Sequence, residues 1–288
     1  MRDIPLPDGS NMPALGLGTW HIGESRHNHA DEVRALRSAF EIGYRLIDTA
    51  EMYGEGGAER VIGEAVDAAL VAGDISRDDL FVVSKVYPHN ASRTGTLAAC
   101  ERSLTRLQLD TIDLYLLHWP GTHPLIETVE AFETLRSQGK IRHWGVSNFD
   151  VDDLETLWAL TTPHHRAPRC SVNQVYYSAS TRGIEFSMMP LLQSHHVPVM
   201  AYTPTDQGEL GSNRTLSAIG KNYGVSGVQV ALAWVLSHPL VAAIPKAVKE
   251  AHLRENWAAA TLTLSPDDMR RIDQEFPPPQ KKRPLAML

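Results

Sequence analysis

The sequence predicts an α/β protein that folds as a (β/α)8 TIM barrel, with an N-terminal β-hairpin and extra helices near the C-terminus. Eight short apolar runs, several of them apolar on both faces, alternate with eight longer amphipathic stretches, which is typical of parallel strands covered by helices. From the second run onward, the ends of successive runs lie about 27 to 44 residues apart, near the ~30 or more residues of one βαβ unit. The length of 288 residues also suits a barrel, whose typical size is about 250 residues.

Each predicted strand is followed by a predicted helix. The strands are the apolar runs at residues 14–18, 45–49, 80–86, 112–118, 141–147, 170–175, 197–202 and 241–245. The helices are the stretches at residues 32–42, 58–71, 94–107, 126–138, 151–160, 188–195, 228–237 and 249–259. Gly43, Gly73 and Gly139 follow three of these helices, where glycine readily adopts the left-handed conformation of a C-cap.

Three further segments lie outside the repeating unit. Residues 4–12 predict a hairpin around a Pro-Asp-Gly turn. The longest gap between strands leaves room for an extra helix at residues 216–223, and Ser265 followed by proline starts a last helix that runs to about Glu275. No internal repeat or low-complexity linker divides the chain, so we expect residues 1–288 to form one domain.

Composition and charge exclude several classes of function. Lys and Arg total 27 against 34 Asp and Glu, a net charge of −7, so the chain lacks the basic character of a general nucleic-acid binder. No apolar signal-like segment follows Met1, and the most apolar long window, residues 228–245, is interrupted by polar residues and a proline, unlike a membrane span. The two cysteines imply no disulfide framework. We expect a cytoplasmic monomer with a small-molecule partner and neither a nucleic-acid nor a membrane partner.

Ionisable side chains lie at the ends of three consecutive predicted strands. Asp48 ends the second strand and Tyr53 follows it, Lys85 ends the third, and His118 ends the fourth. In barrels of this kind the carboxyl ends of the strands form the reactive face. We therefore expect these four side chains to form one cluster at that rim.

The cluster predicts proton delivery to a carbonyl group. Asp48 neutralises Lys85 and fixes its position, and the ammonium is expected to lower the pKa of the Tyr53 phenol from its usual value of about 10. Such a phenol is a workable general acid, and His118 can donate a hydrogen bond to the same substrate oxygen. These residues supply neither a nucleophile nor a hydride, whereas a reduced nicotinamide supplies a hydride.

The later strands carry groups suited to that cofactor. Ser147, Asn148 and Gln174 end the fifth and sixth strands and can hydrogen-bond a carboxamide. Tyr202 ends the seventh strand and offers an aromatic face for a nicotinamide ring, while Lys246 follows the eighth and offers a cation for a phosphate. No metal is expected at this site.

Three aromatic residues predict the substrate pocket. Trp20, Tyr87 and Trp119 lie just after the first, third and fourth strands, where they could wall an aromatic pocket. Packing of Trp119 beneath the rim is an equally good interpretation. Nothing in these residues names the substrate.

Several sequence blocks resemble the aldo-keto reductases, and in the same order along nearly the whole chain. The blocks are GLGTW at residues 16–20, DTAEMYG at 48–54, LYLLHWP at 114–120, GKIRHWGVSNF at 139–149 and IPK at 244–246. The resemblance implies a (β/α)8 barrel and NADPH-dependent reduction of aldehydes and ketones. It places a catalytic tetrad on Asp48, Tyr53, Lys85 and His118, and nicotinamide contacts on Ser147, Asn148, Gln174 and Tyr202.

Shorter blocks are similar to a bacterial branch of the family associated with methylglyoxal reduction. They are GGAE at residues 56–59, SKVYP at 84–88 and IPKA at 244–247. The resemblance therefore implies small reactive carbonyls, such as ketoaldehydes, as substrates.

The chain departs from the family pattern in two places that concern the cofactor. Where the family often has Ser and Arg after its Ile-Pro-Lys, this chain has Ala247 and His252, although the following Glu255 and Asn256 match. Loss of the arginine removes a permanently charged fork for the 2′-phosphate, so we expect a softened preference for NADPH, with NADH possible. The loop that begins with Thr203, another expected cofactor contact, contains Asp206, which we expect to point away from a diphosphate.

The sequence offers three rival interpretations. A Rossmann dinucleotide site fails because His21 stands where its fingerprint needs a third glycine or alanine. A metal hydrolase would use the closely spaced His27 and His29, but they lie in a polar segment before a helix. A non-catalytic or weakly catalytic cofactor-sensing subunit on the same barrel is the alternative function, and turnover distinguishes it from an enzyme.

Overall fold

Parallel strands form the barrel that the sequence predicts. The computed structural model describes residues 2–25, 28–161 and 170–288. The strands are β1 (Asp3–Pro5), β2 (Asn11–Pro13), β3 (Gly16–Gly18), β4 (Leu46–Asp48), β5 (Phe81–Val86), β6 (Ile112–Leu117), β7 (Ile141–Ser147), β8 (Cys170–Tyr176), β9 (Val199–Tyr202) and β10 (Val241–Ala243). Strands β3 to β10 pair in sequence order as one eight-stranded sheet, in which every pair is parallel.

The first and last strands of this sheet meet and close it. Parallel bridges join Leu15 to Ala243 and Gly18 to Lys246. The amide of Gly18 donates to the carbonyl of Pro245 at 3.1 Å. A Cβ atom on Gly18 would lie 2.6 Å from the carbonyl oxygen of Ile244, so closure at this point requires glycine.

The helices alternate with the strands as expected. They are α1 (His29–Ile42), α2 (Gly57–Ala72), α3 (Arg93–Leu107), α4 (Leu125–Ser137), α5 (Val151–Thr161), α6 (Met188–Ser194), α7 (Arg214–Tyr223), α8 (Gly227–Ser237), α9 (Glu250–Ala259) and α10 (Pro266–Glu275). Both predicted extra helices are present as α7 and α10, and Ser265 caps α10 by accepting from the Asp268 amide. None of the described helices is long and apolar enough to cross a membrane.

The predicted N-terminal hairpin covers the amino ends of the barrel strands. Strands β1 and β2 pair with Ile4 opposite Met12, and both side chains are buried in the core. The Asp8 carboxylate contacts His143 near the start of β7 at 3.2 Å. The hairpin therefore closes the end of the barrel opposite the expected reactive rim.

Both cysteines are free and buried, as their apolar surroundings predict. Burial raises the pKa of the Cys100 and Cys170 thiols to about 12. Neither thiol is therefore an accessible nucleophile.

A buried ion pair on the outer face of the barrel joins two helices to β5. Glu59 of α2 is fully buried and accepts from Ser84 of β5 and from Arg106 of α3, each at 2.6 Å. Because neighbouring residues of a strand face opposite ways, Ser84 binds this carboxylate outside the barrel while Lys85 points inside. The pair therefore fixes α2 and α3 behind the strand that carries Lys85.

Replacing Arg106 by methionine should lower the free energy of unfolding by about 3 kcal/mol, because it leaves the buried Glu59 carboxylate without its cation. Urea denaturation measures the change. Arg270→Met, which removes a partner of the exposed Asp267, is the matched control and should cost under about 1 kcal/mol. Equal losses in the two variants would contradict this account of the buried pair.

Candidate active site

A cavity of about 700 Å³ opens at the carboxyl ends of the barrel strands, within the usual size range of small-molecule and cofactor sites. It contains most of the residues that the sequence predicts for the site. These are Trp20, Asp48, Tyr53, His118, Trp119, Ser147, Asn148, Gln174, Tyr202, Thr203, Lys246, His252, Glu255 and Asn256. The cavity therefore lies at the carboxyl ends of the strands, where we expect the reactive face.

Lys85 lies fully buried beside the cavity floor. Its Nζ donates to both carboxylate oxygens of Asp48, at 2.9 and 2.8 Å, and to the carbonyl of Thr49 at 2.9 Å. Gln174 donates a further hydrogen bond to Asp48 at 2.7 Å. The carboxylate and the ammonium are thus held in one geometry without access to bulk water.

The same ammonium reaches Tyr53, whose hydroxyl lies 3.3 Å from the Lys85 Nζ. The Nζ also lies 4.9 Å from the centre of the Tyr53 ring. Tyr53 begins a short 3-10 turn, Tyr53–Gly56, in which Gly54 and Gly56 have positive φ angles. Main-chain atoms of Gly23 approach this turn so closely that a side chain on Gly54 or Gly57 would collide with them, so glycines let the loop place Tyr53 over Lys85.

The prediction that the pKa of Tyr53 is lowered is wrong. Burial raises the pKa of the Tyr53 phenol well above its usual range, and the Asp48 carboxylate raises it further. Because Asp48 neutralises Lys85, the ammonium does not act on the phenol as an isolated positive charge. Tyr53 is therefore a protonated phenol at neutral pH, with its proton available for donation.

His118 faces Tyr53 across the cavity floor. The two rings meet edge to face with centroids 5.7 Å apart. Burial, followed by the Lys85 charge, holds the pKa of His118 well below its usual range, so the imidazole is neutral and carries one N–H. Its Nδ1 is buried and has no hydrogen-bond partner among the described residues.

The expected carboxamide contacts form a connected wall beside this floor. Ser147 donates to the carbonyl of Gln174 at 2.9 Å, and Asn148 donates to the carbonyl of His118 at 3.2 Å. The Tyr202 hydroxyl donates to the Asn148 side-chain oxygen at 3.0 Å. These hydrogen bonds fix the side chains while leaving them on the cavity surface.

The opposite rim is formed by the segment after β10 and the start of α9. Lys246 and His252 are exposed, whereas Asn256 is buried, and all three line the cavity. His252, Glu255 and Asn256 are spaced at i, i+3 and i+4 and therefore share one face of α9. Ala247 is buried and offers no polar group, as the sequence departure implies.

The loop after β9 forms another wall. Thr203, Gln207 and Gly208 line the cavity. Asp206 does not, because its carboxylate accepts from the Tyr176 hydroxyl at 3.0 Å and from the Ser180 hydroxyl. Asp206 therefore points away from the cavity, in which we expect the diphosphate to lie.

The structure brings two of the three aromatic residues expected for the substrate pocket to the cavity. Trp20 and Trp119 line the cavity, but Tyr87 does not. Instead, its ring packs edge to face against Trp119 with centroids 5.0 Å apart. The Tyr87 amide donates to Glu51 at 2.8 Å, which anchors the start of the loop that carries this ring. Tyr87 therefore supports a pocket wall without forming one.

Sequence reasoning missed several lining residues. Met52, which precedes Tyr53, is one of them. His21, which the sequence suggests as a polar contributor to the pocket, also lines the cavity and stacks on Trp20 with ring centroids 4.1 Å apart. Met287 and Leu288 also line the cavity, although no sequence pattern placed the last segment there.

Among the described residues there is no cluster of metal-ligating side chains, and His27 of the metal hypothesis lies outside the described residues.

Comparison with known proteins identifies the family. The model of the aldo/keto reductase family matches residues 14–275. The chain is 45% identical over 283 residues to methylglyoxal reductase YeaE of Escherichia coli K12, covering 96% of each chain. It is 36% identical to glyoxal reductase of Bacillus subtilis, covering 94% of this chain and 91% of that protein.

A solved structure of similar sequence shows the same fold. An aldo-keto reductase from Klebsiella pneumoniae, crystallised in complex with NADPH, superposes with a TM-score of 0.92 at 42% identity, covering 100% of this chain and 99% of that one. With the family match over most of the chain, this shows that the protein belongs to the aldo/keto reductase family and is an NAD(P)H-dependent oxidoreductase.

Proposed function

We propose that this protein reduces small reactive carbonyl compounds, such as ketoaldehydes, to alcohols with NADPH, and that Tyr53 is the general acid. The observation that carries the proposal is the Tyr53 hydroxyl at the cavity floor, 3.3 Å from the fully buried Lys85 ammonium. The names of two relatives, methylglyoxal reductase and glyoxal reductase, support a small aldehyde or ketoaldehyde as the substrate.

The residues around the cavity fit a nicotinamide dinucleotide. Ser147, Asn148 and Gln174 provide amide and hydroxyl groups for a carboxamide, beside the ring of Tyr202. Lys246 provides an exposed cation at the far rim, and the first turn of α9 adds the positive end of a helix dipole. When bound, the cofactor supplies the hydride that reduces the carbonyl carbon.

The hydrogen-bond donors of Lys85 fix the direction of proton transfer. An ammonium has only donors, so the Tyr53 oxygen accepts from it and the Tyr53 hydroxyl hydrogen remains free for a substrate oxygen. As negative charge develops on that oxygen, Tyr53 gives up its proton and Lys85 stabilises the resulting phenolate. The alcohol thus receives its oxygen-bound hydrogen from Tyr53.

His118 orients the same substrate oxygen. Its pKa is lowered by burial, so it acts as a neutral hydrogen-bond donor while Tyr53 transfers the proton. Trp20 and Trp119 line the same cavity, and their apolar rings lower the local polarity, which strengthens both hydrogen bonds. A small carbonyl compound needs no further polar anchor to present its oxygen to Tyr53 and His118.

Replacing Tyr53 by phenylalanine should lower kcat for ketoaldehyde reduction roughly a hundred- to ten-thousand-fold, because only the proton donor is lost. The Kd for NADPH should stay within about two-fold of the wild-type value. Steady-state assays of NADPH oxidation and fluorescence titration measure the two quantities. Nearly full activity in this variant would show that Tyr53 is not the acid, and tight NADPH binding without turnover in the wild type would support the cofactor-sensing alternative.

The wild-type enzyme should prefer NADPH to NADH, and His252→Arg should increase that preference several-fold, because a permanently charged guanidinium binds the 2′-phosphate better than an imidazole. The KM values for the two cofactors measure this. Lys246→Met should reduce the preference, and Lys249→Met, which removes a neighbouring exposed cation, is its control. A wild-type preference for NADH would contradict the assignment of Lys246 to the phosphate.

A further inference from the structure

We propose that Asp206, acting through Tyr176, is a positioning residue for the cofactor: it fixes the Tyr202 ring and the loop of residues 203–208 in the geometry that binds the nicotinamide dinucleotide. The inference rests on the proposed NADPH-dependent function. It assigns a role to a carboxylate that does not line the cavity.

Tyr176 connects Asp206 to the cofactor wall. Its ring stacks on the Tyr202 ring with centroids 5.7 Å apart and an interplanar angle of 25°. Its hydroxyl donates to Asp206 Oδ1 at 3.0 Å. The Tyr176 ring, which Asp206 fixes, therefore supports one face of the Tyr202 ring. The Tyr202 hydroxyl is fixed in turn by its hydrogen bond to Asn148.

Asp206 also ties two loops together. Its Oδ2 accepts from the hydroxyl of Ser180, which follows β8, whereas Asp206 itself follows β9. Burial raises the pKa of the Tyr176 phenol, and the Asp206 charge adds to the shift, so the phenol remains a donor to the carboxylate. The contact joins the two segments at the edge of the cavity.

The loop that Asp206 holds has a backbone that needs support. Thr203, Asp206 and Gln207 have φ angles of 50°, 49° and 56°, in the left-handed region that non-glycine residues adopt at a cost. Such conformations persist where surrounding contacts fix them. Thr203 and Gln207 face the cavity while Asp206 faces Tyr176, so this one side chain secures a wall made by its neighbours.

Asp206 could affect NADPH binding directly through its charge or by positioning Tyr176. These two roles predict opposite changes in NADPH affinity when the carboxylate is removed. If Asp206 acted only as a negative charge near a dinucleotide diphosphate, removing the charge would tighten NADPH binding. If it acts by holding Tyr176, removing its hydrogen bond weakens binding, whereas asparagine, which still accepts from Tyr176, preserves it. Tyr176→Phe removes the same hydrogen bond without changing any charge.

A double-mutant cycle on NADPH binding tests the proposal. Tyr176→Phe should raise the Kd for NADPH about five-fold, as expected for loss of one hydrogen bond of ordinary strength. Asp206→Ala should raise it at least as much, because it also removes the hydrogen bond from Ser180. The double variant should match Asp206→Ala alone, because both changes remove one shared contact. Asp206→Asn should bind as the wild type does, and kcat at saturating NADPH should change less than two-fold throughout.

Glu209→Ala is the matched control, since it removes an exposed carboxylate just after the loop of residues 203–208 and leaves the Tyr176 contact intact. Additive effects, or tighter binding by both the alanine and the asparagine variants of Asp206, would overturn the proposal. The proposal would also be overturned if the weaker-binding variants lowered the melting temperature of the apo-protein enough for general destabilisation to explain the weaker binding. Failure of the proposed reductase function is distinguishable, because it appears in the wild-type protein as an absence of turnover.

Discussion

The site depends on one buried ion pair, between Asp48 at the end of β4 and Lys85 on the neighbouring strand β5. Neither side chain is accessible to bulk water, so each charge depends on the other. The barrel brings the pair together because parallel pairing aligns the ends of adjacent strands. The pair then sets the hydrogen-bonding direction at Tyr53, since Lys85 can only donate. Gln174, reaching Asp48 from β8, links this pair to the wall proposed for the nicotinamide ring.

The cavity thus has two halves with different chemistry. The ends of β4 to β6 carry the groups proposed for proton delivery. The ends of β7 to β9 and the segment after β10 carry hydrogen-bonding groups, an aromatic ring and a cation suited to a dinucleotide. Hydrogen bonds join the two halves: Gln174 donates to the Asp48 carboxylate, and Asn148 donates to the carbonyl of His118. The cofactor wall and the floor are therefore in direct contact.

Alternation of buried strands and amphipathic helices was sufficient to predict the barrel, because the strands are short apolar runs and the helices carry apolar residues at helical spacing. It also predicted the location of the cavity, because strand ends share one rim. The sign of the Tyr53 pKa shift was mispredicted, since the sequence does not reveal that the phenol is enclosed and that Asp48 offsets Lys85. Tyr87 was misplaced because loop geometry decides where its ring points. Met287 and Leu288 were missed because no local pattern predicts where a terminal segment packs.

The unfolding free energy of Lys85→Met, measured beside Lys85→Met/Asp48→Asn, tests the role of the buried pair most directly. The single substitution should cost about 3 kcal/mol at pH 7, because it leaves the Asp48 carboxylate buried without its cation. The double substitution should recover much of that loss while remaining inactive, since asparagine carries no charge and Lys85 is still absent. A single variant as stable as the wild type, or a double variant with restored reductase activity, would contradict the account.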